Sequence, residues 1–219
     1  MTDGADTGAI LLAGGRASRL GGIDKPLLEI DGRSLLQRAW DAVARCDGVI
    51  IAGPERTALA GSAAWVREDP PFTGPAAAIV AALAAWPDAP AWMYVLACDL
   101  VDPVAAVAAL AAGREATSAD VDGLCLADGE SRPQWLTGLY RTAPLRRAAD
   151  ALPGVGANAP VRALTARLSL QVIAATGRET IDIDTWNDAE RAGARLPREP
   201  TPLRRRAHER SHPSPRSPG

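Results

Sequence analysis

Residues 11–26 read LLAGGRASRLGGIDKP. Four glycines, two arginines (Arg16 and Arg19) and a lysine (Lys25) follow directly on the apolar run of residues 8–13, GAILLA. A short, unbroken apolar run that stops at a glycine pair is how a strand buried on both faces looks from its sequence. Glycine lets backbone N–H groups approach an anion closely, because no Cβ stands in the way. At the carboxyl end of a first parallel strand, this is where open α/β sheets bind nucleotides. Arg16, Arg19 and Lys25 would add positive charge for a polyphosphate. The stretch is neither a GxxxxGK[ST] loop, since Pro26 follows Lys25, nor a GxGxxG loop.

Outward from this loop, apolar runs alternate with helical spacings. Residues 34–44 carry Leu35, Leu36, Trp40 and Val43 at helical spacing, with Ser34 as N-cap. Strands are expected at 49–52, around Trp65-Val66, and at 92–97 (WMYVLA). Helices are expected at 75–85, opened by Pro75, and at 103–112. This rhythm predicts an α/β domain with a parallel sheet. Beyond Gly113 it changes: 123–127 and 134–140 flank Asp128-Gly129 as a hairpin. A helix at 143–151, a strand at 168–174 and a final helix at 185–194 follow, the last capped by Thr185 with Asp188 in its first turn.

Composition narrows the chemistry. Apolar residues are 47% and charged residues 23% of 219, ordinary for a globular protein. Both histidines, His208 and His212, lie in a Pro/Arg/Ser-rich stretch, 195–219, expected to be a disordered tail on a domain of residues 1–194. A domain without histidine has no Ser-His-Asp triad and no His-ligated zinc. Of 24 basic residues, 23 are arginines and one is Lys25. The tail holds seven arginines and two glutamates, which leaves 17 basic and 24 acidic residues, net −7, in the domain. That balance argues against general nucleic-acid binding. Arg204-Arg205-Arg206 is either a solvated run or a contact for an acidic partner. Cys46, Cys98 and Cys125 show no CxxC spacing and suit buried thiols in a reducing cytoplasm. No signal peptide is visible, and no apolar stretch is long enough to span a membrane.

The order of the motifs adds a resemblance. Leu12-Ala13-Gly14-Gly15, then Arg19-Leu20-Gly21-Gly22, Asp24-Lys25 and Gly32 to Leu35 resemble the opening signature of GT-A-like nucleotidyltransferases, most of all the molybdenum cofactor guanylyltransferase (MobA) family. The resemblance implies a three-layer, Rossmann-like GT-A fold with a mainly parallel sheet. It implies nucleotide contacts at Leu12, Ala13, Gly14, Gly15, Arg16 and Lys25, with Lys25 and Arg19 acting on the leaving pyrophosphate. Cys98-Asp99-Leu100-Val101-Asp102-Pro103 resembles the family's magnesium-binding segment, so Asp99 is implied as catalytic Mg²⁺ ligand and nucleotide contact. Arg67 to Pro75 resembles the guanine-contacting loop, with Asp69 and Gly74 as contacts; Ala78 stands where the family has a second glycine. Gly53 stands where the family often has asparagine, so a contact there would be through backbone.

Further along, Arg132 and Gln134 in RPQWLTGLY, and Arg162 in NAPVRAL, are implied as contacts for an anionic acceptor. Asp182 and Asp184 replace the asparagines of a family turn near the C-terminus. Asp184 is either a second metal ligand or the cap of the last helix. The implied reaction transfers GMP from GTP to the phosphate of a molybdopterin acceptor. Proteins of molybdopterin synthesis and molybdoenzymes are then the candidate protein partners. Two other readings stay open: a cytidylyl or other nucleotidyl transfer to a different phosphorylated acceptor, and a nucleotide-binding protein without catalysis.

Overall fold

The computed structural model describes residues 6–15, 22–56, 59 and 63–197. Arg16, Arg19 and residues 198–219 of the expected tail lie outside the described residues. Along the chain the elements are β1 (Thr7–Leu12), the two-stranded ribbon β2 (Glu29–Ile30) and β3 (Arg33–Ser34), α1 (Leu35–Ala42), β4 (Gly48–Ala52), β5 (Ala64–Val66) and α2 (Pro75–Ala84). They continue with β6 (Trp92–Ala97), α3 (Pro103–Glu115), β7 (Gly123–Ala127), β8 (Pro133–Arg141), α4 (Thr142–Asp150), α5 (Val161–Thr165), β9 (Leu170–Ala174) and α6 (Trp186–Ala192).

Among the described residues, seven strands form one sheet in the order β5-β4-β1-β6-β8-β7-β9. Every pairing is parallel except the two that β8 makes, with β6 and with β7. β8 is reversed because a tight turn joins it to β7, where Asp128 Oδ1 accepts from the amides of Glu130 and Arg132. The α/β expectation, the mainly parallel sheet and the β7–β8 hairpin therefore hold.

Alternation along β1 explains the three layers. Ala9 and Leu11 face one hydrophobic cluster with Leu36 and Ala39 of α1 and Ala106 and Leu110 of α3. Ile10 and Leu12 face the other with Ala76, Ile79 and Leu83 of α2 and Leu145 of α4. Both faces of β1 are covered, so the strand reads as continuously apolar and all six residues are buried. A third, smaller cluster joins Leu28, Ile30 and Leu35 to Val101, Ile183 and Ala189, and seats α6 beneath the turn that carries Lys25.

Differences from the sequence reading lie at element ends and in short elements it did not give, the ribbon β2–β3 and the helix α5. α3 runs on to Glu115 and β9 begins at Leu170. The helix α5 occupies a segment for which the pattern had given no element, because five residues are too few for a periodic signal. Arg195, assigned to the tail, exchanges backbone hydrogen bonds of 2.8 and 2.9 Å with Glu29. No helix among the described residues is long and apolar enough to cross a membrane.

Candidate active site at the carboxyl ends of the central strands

Register brings the ends of three strands together: Leu12 pairs with Ala52 of β4 and with Ala97 of β6. From β1 the chain builds outward through β4 and β5, then crosses to β6 on the other side, so the strand order switches beside β1. The three segments that leave these ends hold Ala13-Gly14-Gly15, Gly53 and Cys98-Asp99. Cross-links continue past the sheet: the Ala13 amide donates to the Ala52 carbonyl at 2.9 Å, and the Cys98 amide to the Leu12 carbonyl at 3.1 Å.

Gly53 is fixed by sterics. A Cβ there would lie 2.8 Å from the Ala13 carbonyl carbon and 3.0 Å from the Gly14 nitrogen, and its φ of +156° disfavours any side chain. Glycine at this position thus lets the end of β4 lie directly on the Ala13–Gly14 peptide.

Lys25 opens a short 3-10 turn, Lys25–Leu27, with Pro26 locking φ near its start. Its Nζ donates to Asp99 Oδ2 at 2.6 Å and to Asp184 Oδ1 at 2.8 Å. Asp99 reaches this position as the second residue past β6. Asp184 arrives from the far end of the chain because residues 181–183 run antiparallel to 99–101. Val101 N donates to Ile181 O at 2.8 Å and Ile183 N to Asp99 O at 3.1 Å. Ile183 is wholly buried in the third cluster, so its neighbours Asp182 and Asp184 fall on the opposite side of the strip. Oxygens of Asp99, Asp182 and Asp184 lie within 4.8 Å of one another.

The helix caps separate the competing roles of these carboxylates. Asp102, not Asp99, caps α3, accepting from Ala105 N at 3.0 Å. Thr185, not Asp184, caps α6 in a reciprocal capping box with Asp188, as the sequence predicts. Asp99 and Asp184 both accept from Lys25.

Burial would by itself lower the pKa of Lys25, but the charges and hydrogen bonds of Asp99 and Asp184 more than offset it and hold the ammonium protonated above its ordinary range. Asp182 is pushed up, first by burial and then by repulsion from Asp99 and Asp184. Three clustered carboxylates against one ammonium leave an excess of negative charge. Carboxylate oxygens at this spacing are a hard donor set that suits a divalent ion such as Mg²⁺. Cys98 is 2% exposed and its thiol is driven far above its ordinary range by burial, so it is a packed neighbour and not a nucleophile.

Two cavities meet here. The smaller, about 40 Å³, lies among Leu12, Gly14, Gly15, Lys25, Cys98 and Asp99. The larger, about 290 Å³, shares Leu12, Gly14, Gly15 and Asp99 and runs to Glu68, Phe72, Gly74, Pro75, Ala78 and Leu136. One end is lined by glycines and by a carboxylate that could hold a divalent ion, and the other is largely apolar. Phe72, at the apolar end, is 46% exposed, and Arg67 stacks on its ring 4.8 Å from the centroid.

The other expected residues fall outside this cavity. Asp69 is exposed and does not line it, whereas its neighbour Glu68 does, with one carboxylate oxygen accepting from Phe72 N at 2.8 Å. Arg132 is engaged by Asp128 and Glu130 of the hairpin turn, and Gln134 by Asp128. Arg162 sits exposed on α5. The sequence reading missed Asp182 as a member of the carboxylate cluster, and missed Arg56 altogether. The Arg56 side chain is 8% exposed and pairs with Asp24, the residue before Lys25, at 2.6 Å.

The family model for MobA-like NTP transferase domains matches residues 9–172. A molybdenum cofactor guanylyltransferase of Rhodopseudomonas palustris is 46% identical over 87 residues, 38% of this chain and 41% of that protein. A probable molybdenum cofactor guanylyltransferase of Synechococcus elongatus is 37% identical over 143 residues, 62% of this chain and 72% of that protein. Among solved structures, molybdopterin-guanine dinucleotide biosynthesis protein A of Archaeoglobus fulgidus superposes with a TM-score of 0.64 at 18% identity, covering 84% of this chain and 96% of that one. The matched span starts inside β1 and ends inside β9, taking in Lys25, Asp99 and the strand ends that hold them, and on that ground the chain belongs to the MobA-like NTP transferase family.

Proposed function

We propose that this member of the MobA-like nucleotidyltransferases transfers GMP from GTP to the phosphate of molybdenum-bound molybdopterin, releasing pyrophosphate. The observation that carries the reading is Lys25, set between Asp99 and Asp184 in the small cavity that shares Leu12, Gly14, Gly15 and Asp99 with the larger one. The guanine and molybdopterin assignments rest on the named relatives.

The chemistry asks little of acid–base groups. The attacking oxygen belongs to a phosphate that is already anionic, so no general base is needed, in keeping with a domain that has no histidine. The work is positioning and charge. Amides of the Gly14-Gly15 turn take phosphate oxygens, with no Cβ in the way at Gly15, where φ is +138°. Lys25 supplies a fixed positive charge from a turn braced on the sheet, and Arg16 and Arg19 are proposed to add theirs. Asp99, with Asp184 and Asp182, would hold Mg²⁺, which when bound neutralises phosphate charge and orients the displacement. The apolar end, walled by Phe72, Pro75 and Ala78, takes the base. Glu68 or Asp69 meets the N1–H and N2–H₂ donors of guanine, and Arg132, Gln134 and Arg162 are retained as proposed contacts for the acceptor.

The test is pyrophosphate release with purified protein, Mg²⁺, molybdenum-loaded molybdopterin and each of GTP, CTP, ATP and UTP. Release with GTP alone is the expected result. Equal release with all four removes the guanine assignment. Nucleotide binding without release in any mixture leaves a non-catalytic binder.

A further inference from the structure

Arg56 has no part in the mechanism above, yet its side chain is more withdrawn from water than those of its charged neighbours at the site: 8% exposed, against 15% for Lys25 and 24% for Asp99. A buried guanidinium persists only where its N–H groups are paired. Here four hydrogen bonds do so. Nε donates to Asp24 Oδ2 at 2.7 Å and Nη2 to Asp24 Oδ1 at 2.6 Å, a bidentate grip on one edge of the fork. Nη2 also donates to the Ala13 carbonyl at 3.0 Å, and Nη1 to the Pro54 carbonyl at 3.0 Å.

These partners come from three segments that build the site. Ala13 follows directly on β1 and its carbonyl belongs to the peptide that enters Gly14. Pro54 follows Gly53, which lies against that same peptide. Asp24 precedes Lys25, and its carbonyl accepts from Leu27 N at 2.8 Å, closing the turn that aims the lysine. A planar fork can engage one carboxylate edge and two carbonyls together; an ammonium, with three donors on one atom, cannot span them.

We infer that Arg56 is a positioning residue for nucleotidyl transfer: by clamping Asp24 to the carboxyl ends of β1 and β4, it sets the distance between the Lys25 ammonium and the Gly14-Gly15 amides. It touches no substrate. The inference rests on the nucleotidyl-transfer reading for its kinetics and on nucleotide binding alone for its geometry, so the two are measured separately.

The experiment compares the full-length wild type with Arg56→Ala and Arg56→Lys, after circular dichroism and melting confirm the fold. Binding of Mg²⁺·GTP is read by calorimetry, and turnover by pyrophosphate release. A loosened lysine turn should weaken GTP binding about tenfold and lower kcat further, together about 10²-fold in kcat/KM. Arg56→Lys should be impaired nearly as much despite keeping its charge. Low-millimolar guanidinium, but not methylammonium at equal ionic strength, should restore part of the loss in Arg56→Ala by refilling the clamp. Binding and turnover within about threefold of wild type in either folded variant overturn the inference, as does a loss in folded Arg56→Ala that guanidinium leaves untouched. Should Arg56→Ala fail to fold, Arg56→Lys alone decides by the same threshold. If the wild type binds GTP but releases no pyrophosphate, the transfer reading fails, and the GTP affinities of the variants still decide the clamp.

Discussion

Replacing Lys25 by methionine removes the ammonium while keeping most of the side-chain length. The Lys25–Asp99 pair, with side chains 15% and 24% exposed, is partly shielded from water, and a charged hydrogen bond of that kind contributes about 1.5–3 kcal/mol. The Lys25–Asp184 pair, with Asp184 51% exposed, is screened and adds about 0–1 kcal/mol. Burial of the ammonium opposes both, which places the net loss near about 2 kcal/mol, or roughly 4–8 °C in Tm for a domain of this size. Because pairing raises the lysine's pKa, this contribution is complete at neutral pH and fades only as pH climbs past the lysine's ordinary value and through the raised one. A divalent ion would seek the same carboxylates, Asp99 and Asp184, that the ammonium holds. Mg²⁺ should therefore raise the Tm of Lys25→Met by more than it raises that of the wild type, closing part of the gap measured in chelator. Transfer should still fall by about 10²–10³-fold, since the ion does not replace the lysine's charge on the phosphates. Differential scanning fluorimetry across a Mg²⁺ series, beside pyrophosphate release, makes both readings. A Mg²⁺-induced shift as large in the wild type as in the variant refutes the shared-carboxylate argument, and near-normal turnover refutes the role of the lysine.

Three other outcomes follow from the same geometry. Gly53→Ala should weaken nucleotide binding at least tenfold and cost about 1–3 kcal/mol, because its Cβ would press on the Ala13–Gly14 peptide; calorimetry with GTP and melting check both. Asp182→Asn should raise the Tm in chelator at neutral pH and weaken Mg²⁺ binding. The Asp182 pKa is raised, so the stabilising gain is present at neutral pH and disappears as pH falls through the raised value towards the ordinary carboxylate range; a pH series of melting curves tests that direction. Thr185→Ala should cost about 1 kcal/mol through loss of the capping box, seen as a lowered urea midpoint at unchanged slope.

How much of this was legible in the sequence depended on whether a residue's environment is set locally. β1 and β6 announce themselves because both faces are buried, so their apolar runs are unbroken. Asp99 is legible as the polar residue that ends such a run. Arg56 is not: it follows β4 in a polar stretch, and its burial is decided by Asp24, 32 residues earlier, and Ala13, 43 residues earlier. No periodicity encodes such a pairing. The membership of Asp182 in the cluster depends likewise on a bridge to Leu100 that only the folded chain makes. The carboxylates near helix starts show the limit most sharply. Asp99 and Asp102 both precede α3, and Asp184 and Thr185 both precede α6, so each pair offers two candidates for one cap. A helix N-terminus needs a side chain at the position whose oxygen reaches back to the third amide, and Asp102 and Thr185 alone stand there. With those caps filled by Asp102 and Thr185, Asp99 and Asp184 both accept from Lys25. The same local rule that ends a loop and starts a helix thereby selects which carboxylates meet Lys25.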